Sequence, residues 1–152
     1  MTETVARRLG PLLPELVFVG GCATGLLMTD PASAPVRMTR DVDVIAEVAS
    51  YVGYSRLGER LRAAGFHEDV SEDAPLCRWV AGAIRLDVMP VSGVVLGFTN
   101  RWYKQAVRDA QEVRLAEDLI IRVVTCPLFL ATKFEAFLTR GKGDLYASHD
   151  LE

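Results

Sequence analysis

Cysteine and histidine are scarce in this 152-residue chain, at three and two residues. Cys22, Cys77 and Cys126 lie far apart and form no CxxC pair, and the histidines are only His67 and His149. That excludes a disulfide framework, and it leaves no spacing signal for a zinc site built from these ligand types. Buried, reduced thiols are the expectation for all three cysteines. No apolar run approaches the roughly 20 residues that a spanning helix needs. The opening MTETVARRLG lacks the apolar core of a secretory signal, so a cytoplasmic protein with no membrane partner is expected. A basic excess is missing too: 17 Lys and Arg stand against 20 Asp and Glu, a formal net charge of −3. Proteins that coat nucleic acid without regard to sequence are normally basic, so any nucleic acid would have to meet a local basic patch. There is no repeat, low-complexity tract or long charge block.

Half the residues are apolar, and the length suits a single domain with a real core. LVFVGG reads as a short buried strand stopping at Gly20 and Gly21, followed by a short helix over CATGLLM. TDPASAPVR, with two prolines, reads as a loop. DVDVIAEV is a second strand. YSRLGERLRAAG places Leu57, Leu61 and Ala64 on one helical face and closes at Gly65. LCRWVAG and IRLDVMP form a hairpin around Gly82. NRWYKQAVRDA is a helix capped by Thr99 or Asn100. EVRLAEDLIIRVVT supplies one or two strands. Thr125 caps a last helix, CPLFLATKFEAFLTR, with Pro127 harmless in its first turn and an apolar stripe of Leu130, Phe134, Phe137 and Leu138. GKGD ends that helix. The sum is an α/β (or α+β) fold, a mixed sheet of about four or five strands flanked by helices.

The chemistry concentrates where strands begin and end. Asp41 and Asp43 are two apart on a strand, so they project from one face. Two close carboxylates repel unless a cation lies between them. A hard divalent ion suits such oxygen ligands, and Mg²⁺ keeps positions open for phosphates. Gly20 and Gly21 lack Cβ atoms at a strand-to-helix junction, where backbone N–H groups can approach a phosphate. On IRLDVMP, alternation puts Ile84, Leu86 and Val88 on the core face and Arg85, Asp87 and Met89 on the other. Asp87 is thus a candidate third carboxylate. Each feature alone has a plainer reading: GG as a turn, DVD as a solvated strand end, Asp87 as an ion-pair partner of Arg85. Their order along the chain is what makes one site the better account. Arg101, Lys104 and Arg108 recur at helical spacing as a basic stripe, either a solvated face or a grip on RNA phosphates. Trp102 and Tyr103 beside them suit core packing or base stacking.

The chain resembles the nucleotidyltransferase superfamily, with its strand, hG[GS], helix and DxD order, and in particular the AbiEii-type nucleotidyltransferases, which include toxins of type IV toxin–antitoxin systems. The resemblance is carried by VGGCATGLL, RMTRDVDV, RWVAGAIRLDVMP, LGFTNRWY and ATKFEAFLTRGKGDLYASHDLE, which together span most of the chain. It departs in two places. The spacer from Gly21 to Asp41 is lengthened by TDPASAPV, and Gly21 stands where many members carry Ser.

The resemblance implies a minimal polymerase-beta-like fold that uses Mg²⁺ (or Mn²⁺) to move an NMP from an NTP to an acceptor hydroxyl. Gly20 and Gly21 would cradle phosphate, and Asp41 and Asp43 would bind metal. Asp87 would complete the metal site and serve as a possible general base. Lys133, otherwise a snorkelling surface lysine, would meet the triphosphate. Asp150 would support Lys133 or the acceptor. It further implies one domain over residues 1–152 without the helical extension that follows in relatives, a toxin-like role, tRNA as an acceptor and a cognate antitoxin as partner. Two alternatives stay open: transfer to a small molecule, as in antibiotic-modifying relatives, and a non-catalytic member that binds only nucleotide or a partner.

Overall fold

The computed structural model describes residues 1–28 and 41–140. Within them the protein is an α/β molecule built on one seven-stranded mixed sheet, with strand order β3-β4-β5-β2-β1-β7-β6. The strands are β1 (Leu16–Val19), β2 (Asp41–Ala46), β3 (His67–Glu68), β4 (Arg78–Ala81), β5 (Ile84–Pro90), β6 (Gln111–Ala116) and β7 (Leu119–Val123). The helices are α1 (Thr2–Leu9), α2 (Gly21–Leu27), α3 (Tyr51–Ala63), α4 (Gly93–Leu96), α5 (Tyr103–Arg108) and α6 (Cys126–Arg140). No helix among the described residues is long and apolar enough to cross a membrane.

The sheet is larger than the four or five strands expected from the sequence. The difference lies in the two-residue β3, added at the edge beyond β4, and in EVRLAEDLIIRVVT, which folds back on itself as the β6–β7 hairpin. Burial follows position in the sheet. β1, the continuous apolar run LVFV, is buried at every residue between antiparallel β2 and parallel β7, as a strand covered on both faces must be. The edge strands β3 and β6 are largely exposed and polar, which discourages pairing with other chains. The N-terminal segment, unassigned by pattern alone, forms α1 and a 3₁₀ turn (Gly10–Glu15) that bury Val5, Ala6, Leu9 and Leu12 in the core.

α3 begins three residues earlier than periodicity suggests, because the Ser50 hydroxyl accepts from the Gly53 N–H at 3.2 Å and caps its first turn. The hairpin around Gly82 forms as expected, with Ala81 opposite Ile84 and Gly82 at φ 61°. Asn100 does cap the α5 region: its Oδ1 accepts from the Trp102 N–H at 3.1 Å, while its Nδ2 donates to the Thr132 carbonyl at 2.9 Å and ties that turn to α6.

α6 lies differently from the expected stripe. Leu128, Thr132, Ala136 and Phe137 face inward, while Leu130, Phe134 and Leu138 are exposed. Positions 128, 132 and 136 form one i, i+4 row of buried residues. The rotation also brings Lys133, half-buried, to the inner side. The thiols divide as well. Cys22 and Cys77 are largely enclosed, but Cys126 is exposed, correcting the expectation of three buried cysteines; none is in a disulfide.

Candidate active site

β2 and β5 run side by side in parallel, and their register sets Asp43 directly opposite Asp87 and Asp41 opposite Arg85. Residues opposite one another in adjacent strands point to the same side of a sheet, with backbones about 4.8 Å apart. The three aspartates therefore share one face. On the far side of β5, antiparallel β4 sets Arg78 opposite Asp87. Its guanidinium crosses to the carboxylates: Nε donates to Asp87 Oδ1 at 2.8 Å, and Nη2 donates to Asp87 Oδ2 at 2.8 Å and to Asp41 Oδ2 at 3.1 Å. Both the Arg78 and Asp87 side chains are well sheltered, at 17% and 13% exposure, so this is an ion pair of the interior rather than a surface contact. Arg85, expected as the partner of Asp87, instead approaches Asp41 Oδ1 at 3.8 Å from an exposed position. That distance is too long for a hydrogen bond, and Asp41 Oδ1 is buried without one.

Asp43 is the carboxylate that Arg78 does not hold. Burial first, and then the charge of Asp87, push its pKa from 3.8 up to about 6. The ammonium of Lys133 opposes that rise more strongly than Arg78 does. The helix α6 thus carries a cation to the same carboxylate that the strand register brings to Asp87. Beneath Asp43, the Cys22 thiol points at main-chain carbonyls, with Sγ 3.0 Å from Val19 O and 3.8 Å from Asp43 O. Burial and the Asp43 charge drive its pKa up to about 12. Cys77, beside Asp87, is likewise pushed up to about 12, mainly by burial. Both are neutral packing groups, not nucleophiles.

Gly20 has a structural task in this arrangement. Its backbone sits at φ 69°, ψ −158°, a region essentially reserved for glycine. A Cβ there would meet the Asp43 side chain, with Cγ at 2.8 Å and Oδ2 closer still. The glycine makes room for the carboxylate. Gly21 opens α2.

The other expected residues fare unevenly. Asp41, Asp43 and Asp87 share one face, and the Lys133 charge acts on Asp43. Asp150, His149 and the loop that lengthens the Gly21–Asp41 spacer lie outside the described residues. The general-base role expected for Asp87 is not favoured, since both its oxygens accept hydrogen bonds from Arg78. The stripe Arg101, Lys104 and Arg108 divides. Arg101 pairs with Glu135 of α6 at 2.9 Å and Arg108 with its neighbour Asp109 at 2.8 Å, while Lys104 and Arg108 line a cavity of about 400 Å³ with Glu47, Val91, Val107 and Arg122. Arg122 donates to the carbonyls of Pro14 (2.8 Å) and Val107 (2.6 Å). Glu47 follows the C-terminal end of β2, so this cavity lies roughly 13 Å along the strand from Asp43. Trp102 and Tyr103 pack against the core, with the Tyr103 hydroxyl 3.0 Å from Met89 Sδ, which favours core packing over base stacking.

Arg78 is the residue that motif reading passed over. Its signal was the hairpin: a two-residue turn at Gly82 and Ala83 pairs Ala81 with Ile84, and counting back pairs Arg78 with Asp87.

No protein-family model matches the chain, and no curated protein does. Among the described residues, no three His, Cys, Asp or Glu side chains are grouped so as to hold a metal ion. The donor set nevertheless suits a hard divalent cation. Three carboxylates share a face, Asp41 Oδ1 is a buried acceptor without a hydrogen bond, and burial, with the charges of Asp87 and Asp41 adding to it, raises the Asp43 pKa. The Arg78 guanidinium already supplies positive charge to two of the three.

Proposed function

We propose that this protein is a metal-dependent nucleotidyltransferase of the polymerase-beta-like, AbiEii-like type, moving an NMP from an NTP to an acceptor hydroxyl in a toxin-like role. The observation that carries the reading is the register of β2 against β5, which sets Asp43 beside Asp87 with Asp41 on the same face and with the Lys133 charge directed at Asp43. In the reaction the acceptor hydroxyl gives its proton to solvent water, its oxygen bonds to the α-phosphorus, the bond from that phosphorus to the bridging oxygen breaks, and pyrophosphate leaves. Asp41, Asp43 and Asp87 would hold Mg²⁺ or Mn²⁺. When bound, such an ion neutralises triphosphate charge and lowers the pKa of the attacking hydroxyl. Lys133 contributes a fixed positive charge for the phosphates. Gly20 keeps the space in front of Asp43 clear. RNA, with tRNA foremost, is the acceptor class proposed, and a cognate antitoxin the protein partner.

A second reading, a non-catalytic member that only binds nucleotide or a partner, is favoured by one specific observation: Arg78 already neutralises Asp87 and Asp41. One experiment separates the two. Each labelled NTP is incubated with Mg²⁺ or Mn²⁺ and total RNA, with wild type and Asp43→Asn side by side, and products are sized. Label should move to RNA in the wild type and fall to background in Asp43→Asn, whose amide keeps the shape but loses the charge. Nucleotide retained without transfer supports the non-catalytic reading. Transfer by Asp43→Asn at the wild-type rate rejects Asp43 as a ligand.

A further inference from the structure

We propose that Arg78 is the positioning residue of the carboxylate site, a resident counter-cation that holds Asp87 and Asp41 in place without metal and that a divalent ion must displace; the inference rests on the metal-dependent reading above. An arginine opposite a strand carboxylate is ordinarily just a cross-strand pair. Three observations set this one apart. The fork is used in full on Asp87, both bonds being 2.8 Å, and Nη2 is shared with Asp41 at 3.1 Å, so one guanidinium bridges carboxylates from two different strands. It does so in a sheltered place, where an unpaired carboxylate would be costly to keep ionised. Finally, the bridge is incomplete: Asp41 Oδ1 remains buried without a hydrogen bond, with Arg85 no nearer than 3.8 Å, and the Arg78 bonds go to Asp87 and Asp41 and not to Asp43. A guanidinium offers only N–H donors in a plane, so it cannot satisfy carboxylates that approach from several directions, as a spherical ion can.

Loading the site therefore involves exchange of one cation for another. Arg78 would let go of at least part of its hold on Asp87 and Asp41, and the freed guanidinium, anchored on β4 beside the site, would remain near the incoming phosphates. The exchange makes Arg78 a determinant of metal affinity, and it supplies the reason why Asp87 and Asp41 tolerate one another in the metal-free protein.

The test is Mn²⁺ binding to the full chain, read by the loss of the free-ion electron paramagnetic resonance signal and by calorimetry, with no nucleotide present. Arg78→Gln removes the competing cation and its repulsion of the ion and should bind Mn²⁺ about tenfold or more tightly than wild type, while its metal-free form unfolds at lower urea and is restored by Mn²⁺. Arg78→Lys keeps one charge but loses the fork, and should fall between the two. It also decides the matter if Arg78→Gln does not fold: affinity no tighter than wild type would overturn the proposal. Equal Mn²⁺ affinity in wild type and Arg78→Gln likewise overturns it and leaves the metal-dependent reading standing. A purely structural arginine gives that result, with stability lost equally in the presence and absence of the ion. Absence of Mn²⁺ binding in all three proteins rejects the metal site itself, and the positioning role with it.

Discussion

Replacing Gly20 by alanine should destabilise the protein, and the size of the loss should depend on Asp43. Two separable costs meet at this position. One is the backbone: at φ 69°, ψ −158° a side chain costs about 1–3 kcal/mol. The other is space: the new Cβ would sit 2.8 Å from Asp43 Cγ and 3.0 Å from Asp43 Cβ. Asp43 cannot retreat, because β2 is paired with β1 on one side and β5 on the other. The overlap should cost a further 1–3 kcal/mol or so, typical of overpacking in a close-packed region. Together these reach about 2–6 kcal/mol, less up to roughly 1 kcal/mol recovered because alanine stiffens the unfolded chain. That is a large part of the total stability of an ordinary domain, about 5–15 kcal/mol.

The assay is urea unfolding followed by the fluorescence of Trp79, which is 2% exposed and so reports on the intact core. Four proteins complete a cycle: wild type, Gly20→Ala, Asp43→Ala and the double variant. Asp43→Ala removes Cγ and both oxygens, so in that background Gly20→Ala should cost the backbone part plus only the residual contact with the Cβ of residue 43, at 3.0 Å. The coupling should then be about 1–3 kcal/mol. If the two substitutions add to within about 0.5 kcal/mol, Gly20 is not shaped by Asp43. Its φ would then need another reason, and close approach of a phosphate to the backbone would become the better one.

Two further outcomes follow from the electrostatics. The Asp43 pKa lies above its unfolded value, so its protonated form is favoured by folding. The associated stability is present below pH 3.8 and lost as pH rises through about 6; metal-free wild type should weaken relative to Asp43→Asn over that interval, by up to about 3 kcal/mol, and parallel urea-midpoint profiles from pH 4 to 7 would reject it. Neutralising Lys104 and Arg108 should weaken RNA labelling and flatten its salt dependence, by about 0.7 in log–log slope for each lost single-strand phosphate contact. Arg101→Gln, by contrast, breaks an ion pair with Glu135 at 2.9 Å in which Arg101 is 70% exposed and should leave the slope alone; equal slopes for all three proteins would remove the cavity from the acceptor's path.

The elements legible in the sequence are those whose signal is local. LVFV is apolar without interruption because β1 is covered on both faces, and the two-residue turn at Gly82 fixes its hairpin without help from the rest of the chain. The misread features depend on what lies opposite. α6 carries enough apolar residues to present either of two faces, and periodicity favours Leu130, Phe134, Phe137 and Leu138, of which only Phe137 is buried. The interior took the row of Leu128, Thr132 and Ala136 instead, and Thr132 offers its carbonyl to Asn100. A stripe of large apolar residues names an amphipathic helix but does not say which edge of it docks. The α1 segment was passed over for a related reason: its buried residues are only Val5, Ala6 and Leu9, too few to stand out among charges.

The candidate site divides along the same line. That Asp41 and Asp43 share a face is a property of one strand. That Asp87 joins them depends on β2 and β5 being neighbours in parallel, which no stretch of either strand encodes. Only the order of motifs along the chain suggested it. Arg78 was within reach by simple counting across the Gly82 turn, yet arginine on a strand carries no motif. Its importance comes from the two carboxylates it joins. A search for metal ligands looks for negative charge and overlooks the positive group that holds such charge together while the metal is away. In the reading offered here that group decides how tightly the site takes an ion, so the net charge of the face, and not the count of its carboxylates, is the quantity that governs loading.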